Sequence, residues 1–133
     1  MGLGTSYGYN ILGSLLTITQ GANVRTFAYN AKNFLTSESH PERATVTHLR
    51  DNIGNIKKRT DGTGEIAYTY DGINRLTRMD HGGEFTTFAY DEADNRTSMR
   101  NFDSIATYSY DKVDRLTKKT ETIRTLTHET SYA

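Results

Sequence analysis

A chain that says nearly the same thing every 20 residues folds as a stack: each copy takes one local structure and buries itself against the next. Here the phrase Tyr70-Asp71-Gly72-Ile73-Asn74-Arg75-Leu76-Thr77 returns as Tyr90-Asp91-Glu92-Ala93-Asp94-Asn95-Arg96-Thr97 and as Tyr110-Asp111-Lys112-Val113-Asp114-Arg115-Leu116-Thr117. Tyr9-Asn10, Tyr29-Asn30 and Arg50-Asp51 open the same phrase upstream. The starts at 9, 29, 50, 70, 90 and 110 are separated by 20, 21, 20, 20 and 20 residues. The period predicts one array over residues 1–133, with units starting near Tyr9, Tyr29, Arg50, Tyr70, Tyr90 and Tyr110 and a half unit over 120–133.

With the Tyr of the phrase taken as position zero, steps of two backwards keep to one face of a strand. Position minus two holds Tyr7, Phe27, His48, Tyr68, Phe88, Tyr108 and His128, and position zero ends the series at Thr130. Between them stand mostly small or hydroxylated residues: Gly8, Ala28, Leu49, Thr69, Ala89 and Ser109 at minus one, Ser6, Thr26, Thr47, Ala67, Thr87 and Thr107 at minus three. Strict alternation of this kind predicts a β-strand ending at each Tyr, with an aromatic face and a slim one.

An Asp or Asn follows position zero in every unit: Asn10, Asn30, Asp51, Asp71, Asp91 and Asp111. Three residues later come Gly13, Asn33, Gly54, Asn74, Asp94 and Asp114. Gly, Asn and Asp are the residues that adopt a positive φ at least cost. The leading Asx side chain can accept a backbone N–H two residues on, so the pattern predicts a type I turn closed by a left-handed residue. Each return strand then carries one residue at the aliphatic position, Leu15, Leu35, Ile56, Leu76, Arg96 or Leu116. The fold class that follows is all-β: about thirteen short strands in tandem hairpins, stacked edge to edge into a curved or spiralling antiparallel sheet. One hairpin cannot bury enough apolar surface to offset the entropy of ordering it, so rings are expected to pack in columns from unit to unit. Strand edges at the two ends are expected to pair with further repeats or with copies of the chain.

Sixteen basic and sixteen acidic residues cancel, so no overall field recruits nucleic acid. Cysteine is absent, which excludes disulfides and thiolate metal sites. No apolar run approaches a membrane span, and no targeting signal stands in the chain.

The phrase, the aromatic two residues before it and the period near 20 resemble the YD repeat (Rhs repeat) of bacterial Rhs toxins, toxin-complex shell proteins and teneurins. The resemblance implies a β-hairpin sheet that spirals into a hollow shell, which in bacterial members encloses a C-terminal toxin domain, and it implies a secreted or cell-surface parent. It reaches Tyr9, Tyr29, Tyr70, Tyr90 and Tyr110, the Asx after each, and the turn residues, Gly13 and Gly54 among them. Arg50 replaces a Tyr and Arg96 the aliphatic, so the ring column is expected to break at the third unit. The Asp-Pro-x-Gly signature tied in this family to shell closure and self-cleavage is missing, and six units are too few to close a shell.

No catalytic, metal or cofactor site is expected. His48 and His128 fill the aromatic slot, His40 and His81 lie in loops, and the Asp series at 51, 71, 91 and 111 is explained by turn capping without a metal. A structural shell segment is therefore the leading reading. A carbohydrate-binding module using exposed rings and the Lys57-Lys58-Arg59 run is the first alternative, and a self-assembling filament the second.

Overall fold

A computed structural model describes residues 4–123 and 126–132. Its strands are β1 (Thr5–Tyr9), β2 (Leu15–Gln20), β3 (Asn23–Tyr29), β4 (Leu35–His40), β5 (Arg43–Arg50), β6 (Ile56–Asp61), β7 (Gly64–Tyr70), β8 (Leu76–His81), β9 (Glu84–Tyr90), β10 (Arg96–Arg100), β11 (Ser104–Tyr110), β12 (Leu116–Ile123) and β13 (Leu126–Ser131). Order in the 13-stranded sheet follows the chain from β1 to β13, so every neighbour is a sequential hairpin partner. The chain divides into two compact units, residues 1–67 and 68–133.

Each hairpin turn is built as its residues dictate. In the first unit Asn10 N–H donates to Ser14 O and Gly13 N–H to Asn10 O, at 2.9 and 3.0 Å. The closing residue is left-handed in all six turns, with φ of 79° at Gly13, 61° at Asn33, 104° at Gly54, 69° at Asn74, 67° at Asp94 and 61° at Asp114. The return strand then takes a β-bulge, in which two residues oppose one. Tyr29 pairs with Leu35 and Ala28 with Ser37, leaving Thr36 as the extra residue. Thr117 occupies the same place between Leu116 and Lys118.

Pairing puts position zero, position minus two and the aliphatic on one face. On β5 this reads as half-buried Arg50 and His48 and fully buried Val46, alternating with exposed Leu49, Thr47 and Thr45. On β11 the buried residue is Ala106, beneath half-buried Tyr108 and Tyr110. Val46 and Ala106, each 2% exposed, are the core residues among those described. A single layer has no facing layer to bury it, and this is why the rings remain only half covered.

Two expectations need correction. Rings at the same position of successive repeats lie two strands apart, about 9.5 Å, which is beyond the range of ring stacking. The return strand stands between them, so Phe27 pairs across to Glu38, Phe88 to Met99 and Tyr108 to Lys119. Ring contact is made instead between Phe27 and His40, edge to face at 6.3 Å.

The second correction concerns the last half unit. Elsewhere the eighth residue after position zero pairs with minus three of the next unit, as Thr17 does with Thr26 and Ser98 with Thr107. Lys118, the equivalent residue, pairs with Ser131. The β12–β13 hairpin is thus four residues longer, and Thr130 and His128 are not at positions zero and minus two. The shift assigns Tyr132 to the aromatic slot and Thr130 to the place held by Ala106. Two extra residues on each arm preserve alternation, so hydropathy alone gives no sign of the change. The tip residues 124 and 125 lie outside the described residues.

Candidate functional site: a ladder of turns

Every Asx of the repeat phrase spends one side-chain oxygen on its own turn. Asn10 Oδ1 accepts from the N–H groups of Leu12 and Ser14, both at 2.9 Å. The same pair of bonds is made by Asn30, Asp51, Asp71, Asp91 and Asp111. Where the residue is Asp, the second oxygen takes a side-chain donor. Arg75 Nε donates to Asp71 Oδ2 at 2.7 Å, and Arg115 Nε to Asp111 Oδ2 at 2.7 Å. These donors hold the carboxyls below the usual range, Asp71 through the Arg75 side chain and then its N–H, Asp111 through the Arg115 N–H and then its side chain. The Asp series is consumed by turn geometry, and among the described residues no group of three or more His, Asp or Glu could hold a metal ion.

The tyrosines at position zero do a job that their ring alone does not explain. Tyr29 Oη donates to Leu15 O at 2.9 Å, Tyr90 Oη to Leu76 O at 2.8 Å and Tyr110 Oη to Arg96 O at 2.9 Å. Each bond runs from one repeat to the backbone of the repeat before it. Because the acceptor is a carbonyl, Arg96 serves as well as Leu at that position. Its guanidinium instead covers the Tyr108 ring at 5.0 Å. Tyr9 stands on β1, the first strand among the described residues, and is 60% exposed.

Arg50 breaks the ring series yet keeps the bond. Its Nε donates to Leu35 O at 2.8 Å and its Nη1 to Gly54 O at 2.7 Å. The third repeat therefore exchanges a phenol for a guanidinium and gains a second anchor on its own turn.

A third set of contacts joins turn to turn. The residue after the left-handed position reaches the left-handed residue of the next turn. Ser14 Oγ bonds Asn33 Oδ1 at 2.6 Å, and Asn95 Nδ2 bonds Asp114 Oδ1 at 2.8 Å. Arg75 Nη1 bonds both Asp91 O and Asp94 Oδ1 at 2.8 Å, with its guanidinium 4.8 Å from the Tyr90 ring centre. Phe34 makes the apolar version, its ring lying so close over Gly54 that a Cβ there would meet Cζ at 2.8 Å.

Sequence reasoning missed these pins and clasps. It also missed the bulge threonines: Thr36, Thr77 and Thr117 donate their hydroxyls to Ala28 O, Thr69 O and Ser109 O. The recurring Leu-Thr pair was the available signal. The basic run, by contrast, makes no common strip. Lys57 is the bulge residue, Lys58 pairs with Glu65 on one face and Arg59 with Asp61 on the other. Among the histidines, His40 Nε2 meets Arg43 at 2.7 Å, and His48 Nδ1 is buried without a partner. Burial, then Arg50, pushes the His48 imidazole below its ordinary pKa, and Arg59 adds to the shift while Glu38 opposes it.

Residues 70–106 match the RHS Repeat family. Solved structures share the fold across most of the chain. A TcdB2-TccC3 crystal structure and its TcdB2-TccC3-Cdc42 counterpart each superpose with a TM-score of 0.73 at 19% identity, covering 87% of this chain. TcdB2-TccC3 without its hypervariable C-terminal region gives 0.72 over the same share. This chain spans 7% of the length of those chains. No curated protein matches it in sequence.

Proposed function

We propose that this chain, with its RHS repeat, is a stretch of a YD-repeat shell: a non-catalytic module whose whole length, 1–133, is one array that helps to enclose or present another domain of a secreted parent. The observation that carries the reading is the inter-repeat hydroxyl pin. Tyr29, Tyr90 and Tyr110 each fasten their hairpin to the backbone of the one before, and Arg50 does so with different chemistry. The repeat residues Tyr9, Tyr29, Tyr70, Tyr90 and Tyr110, with their Asx partners and Gly13 and Gly54, are on this reading a device for propagating a sheet. The hydroxyls of Tyr29, Tyr90 and Tyr110 and one oxygen of each Asx are spent on backbone, which suits a wall better than a binding cleft. The likeness in fold to the TcdB2-TccC3 structures supports the same assignment.

The test is the reading frame around this segment in its parent gene. Further 20-residue phrases on either side, followed by a C-terminal region of different composition, are the expected result. A frame containing these six copies and nothing else related to them overturns the shell assignment.

A further inference from the structure

Arg75 and Arg115 occupy the same position of the repeat and begin alike, each with Nε fixed by the Asp of its own turn at 2.7 Å. They end differently. Arg75 is 25% exposed and its Nη1 is occupied by the Asp91 carbonyl and the Asp94 carboxylate of the next turn. Arg115 is 78% exposed, and among the described residues its side-chain partner is Asp111 alone. Its outer nitrogens are free to donate, while the inner one is already anchored. The guanidinium is a planar fork suited to two acceptors at once, and anchoring it beforehand lowers the entropy lost on binding.

We infer that Arg115 is a recognition residue for a seventh turn of the same phrase, continuing from β13, and that it grips that turn by the carbonyl of its Asx and the side chain of its left-handed residue. The corrected pairing fixes where this turn belongs. Lys118 opposite Ser131 puts Tyr132 two residues before position zero, so the phrase would begin immediately after Ala133. Residues 130–133, Thr-Ser-Tyr-Ala, read like Thr86-Thr87-Phe88-Ala89 ahead of Tyr90. The seat rests on the array reading above, but does not depend on whether the shell encloses anything.

The experiment appends the sequence of residues 90–110 directly after Ala133 of the full chain and compares Arg115→Gln in the original and extended chains. A third variant changes to Ala the appended Asp that copies Asp94. Thermal unfolding is followed by circular dichroism, and amide exchange reports whether the appended strand is protected. In the original chain Arg115→Gln should lower the midpoint by under about 2 °C, since an exposed pair contributes little. In the extended chain the loss should grow to roughly 2–4 °C and largely disappear when the appended Asp is already Ala. Equal losses in both chains, with the appended strand protected, would overturn the clasp and leave the array reading standing. An appended strand with no protection would sink both.

Discussion

The two ends of each hairpin make an instructive contrast. At one end the six Asx turns are built alike, with the same two side-chain-to-backbone bonds and the same left-handed residue, although Gly, Asn and Asp exchange there. At the other end the tips differ, from Gln20–Asn23 through His40–Arg43 and Asp61–Gly64 to His81–Glu84 and Asn101–Ser104. Both kinds of turn reverse the chain equally well. The difference is that the Asx turns touch one another at one repeated position, through the Ser14, Phe34, Arg75 and Asn95 clasps, whereas the contacts of the tips, such as Glu42 with Arg25 and Gly62 beside Ala44, follow no common position. Where no contact is repeated from turn to turn, many sequences suffice.

Glycine substitution should expose this contrast most sharply. Gly54→Ala forces a Cβ both into a left-handed backbone and against the Phe34 ring, and should cost about 3 kcal/mol in urea unfolding. Gly82→Ala meets the same φ problem at a tip, where nothing lies within 4 Å of the added carbon, and should cost about 1 kcal/mol. Equal costs would show that the turns do not couple. Next comes the pin. Tyr90→Phe keeps the ring and removes the bond to Leu76 O, for a loss of about 1 kcal/mol, whereas Arg50→Tyr should be nearly neutral because a phenol can take over the carbonyl of Leu35. A large loss for Arg50→Tyr would mean that the Gly54 anchor matters more than the pin.

His48→Phe restores the ring type of the slot and removes a buried nitrogen that has no partner, so it should raise stability by up to about 1 kcal/mol. The smallest effect per site is acid titration. Asp71 and Asp111 in the Asx turns are held below the ordinary carboxyl value of 3.8, and Asp61 at a tip is lowered to about 2 by the Thr63 hydroxyl and then its N–H. A folded pKa below the unfolded one gives stability that is full above the unfolded value and is lost as pH falls through the folded one. The thermal midpoint should therefore be level above about pH 5 and drop between about 4 and 2. Asp71→Asn should flatten part of that drop. An unchanged profile would show that the Arg75 pair contributes nothing.

Much of this architecture was legible because it is local. Alternation marked the strands, and the shared tolerance of Gly, Asn and Asp for positive φ marked the left-handed residue of every Asx turn, down to Asp94 and Asp114. The final hairpin was misread because a lengthening by two residues on each arm leaves alternation intact, and His128 stands where the unshifted register expects a ring. Arg50 was read as a gap because a sequence shows the loss of a ring but not the carbonyl that a guanidinium can still reach.

From residues alone, then, came the period, the strand ends and the backbone sign at each turn, all set by the preferences of a few neighbouring residues. The tertiary structure decided which hydroxyl meets which carbonyl, which turn clasps which, and where β13 falls in register. Those partners lie 14 to 20 residues apart, as Tyr29 with Leu15 and Phe34 with Gly54, and only the pairing of strands brings them within reach.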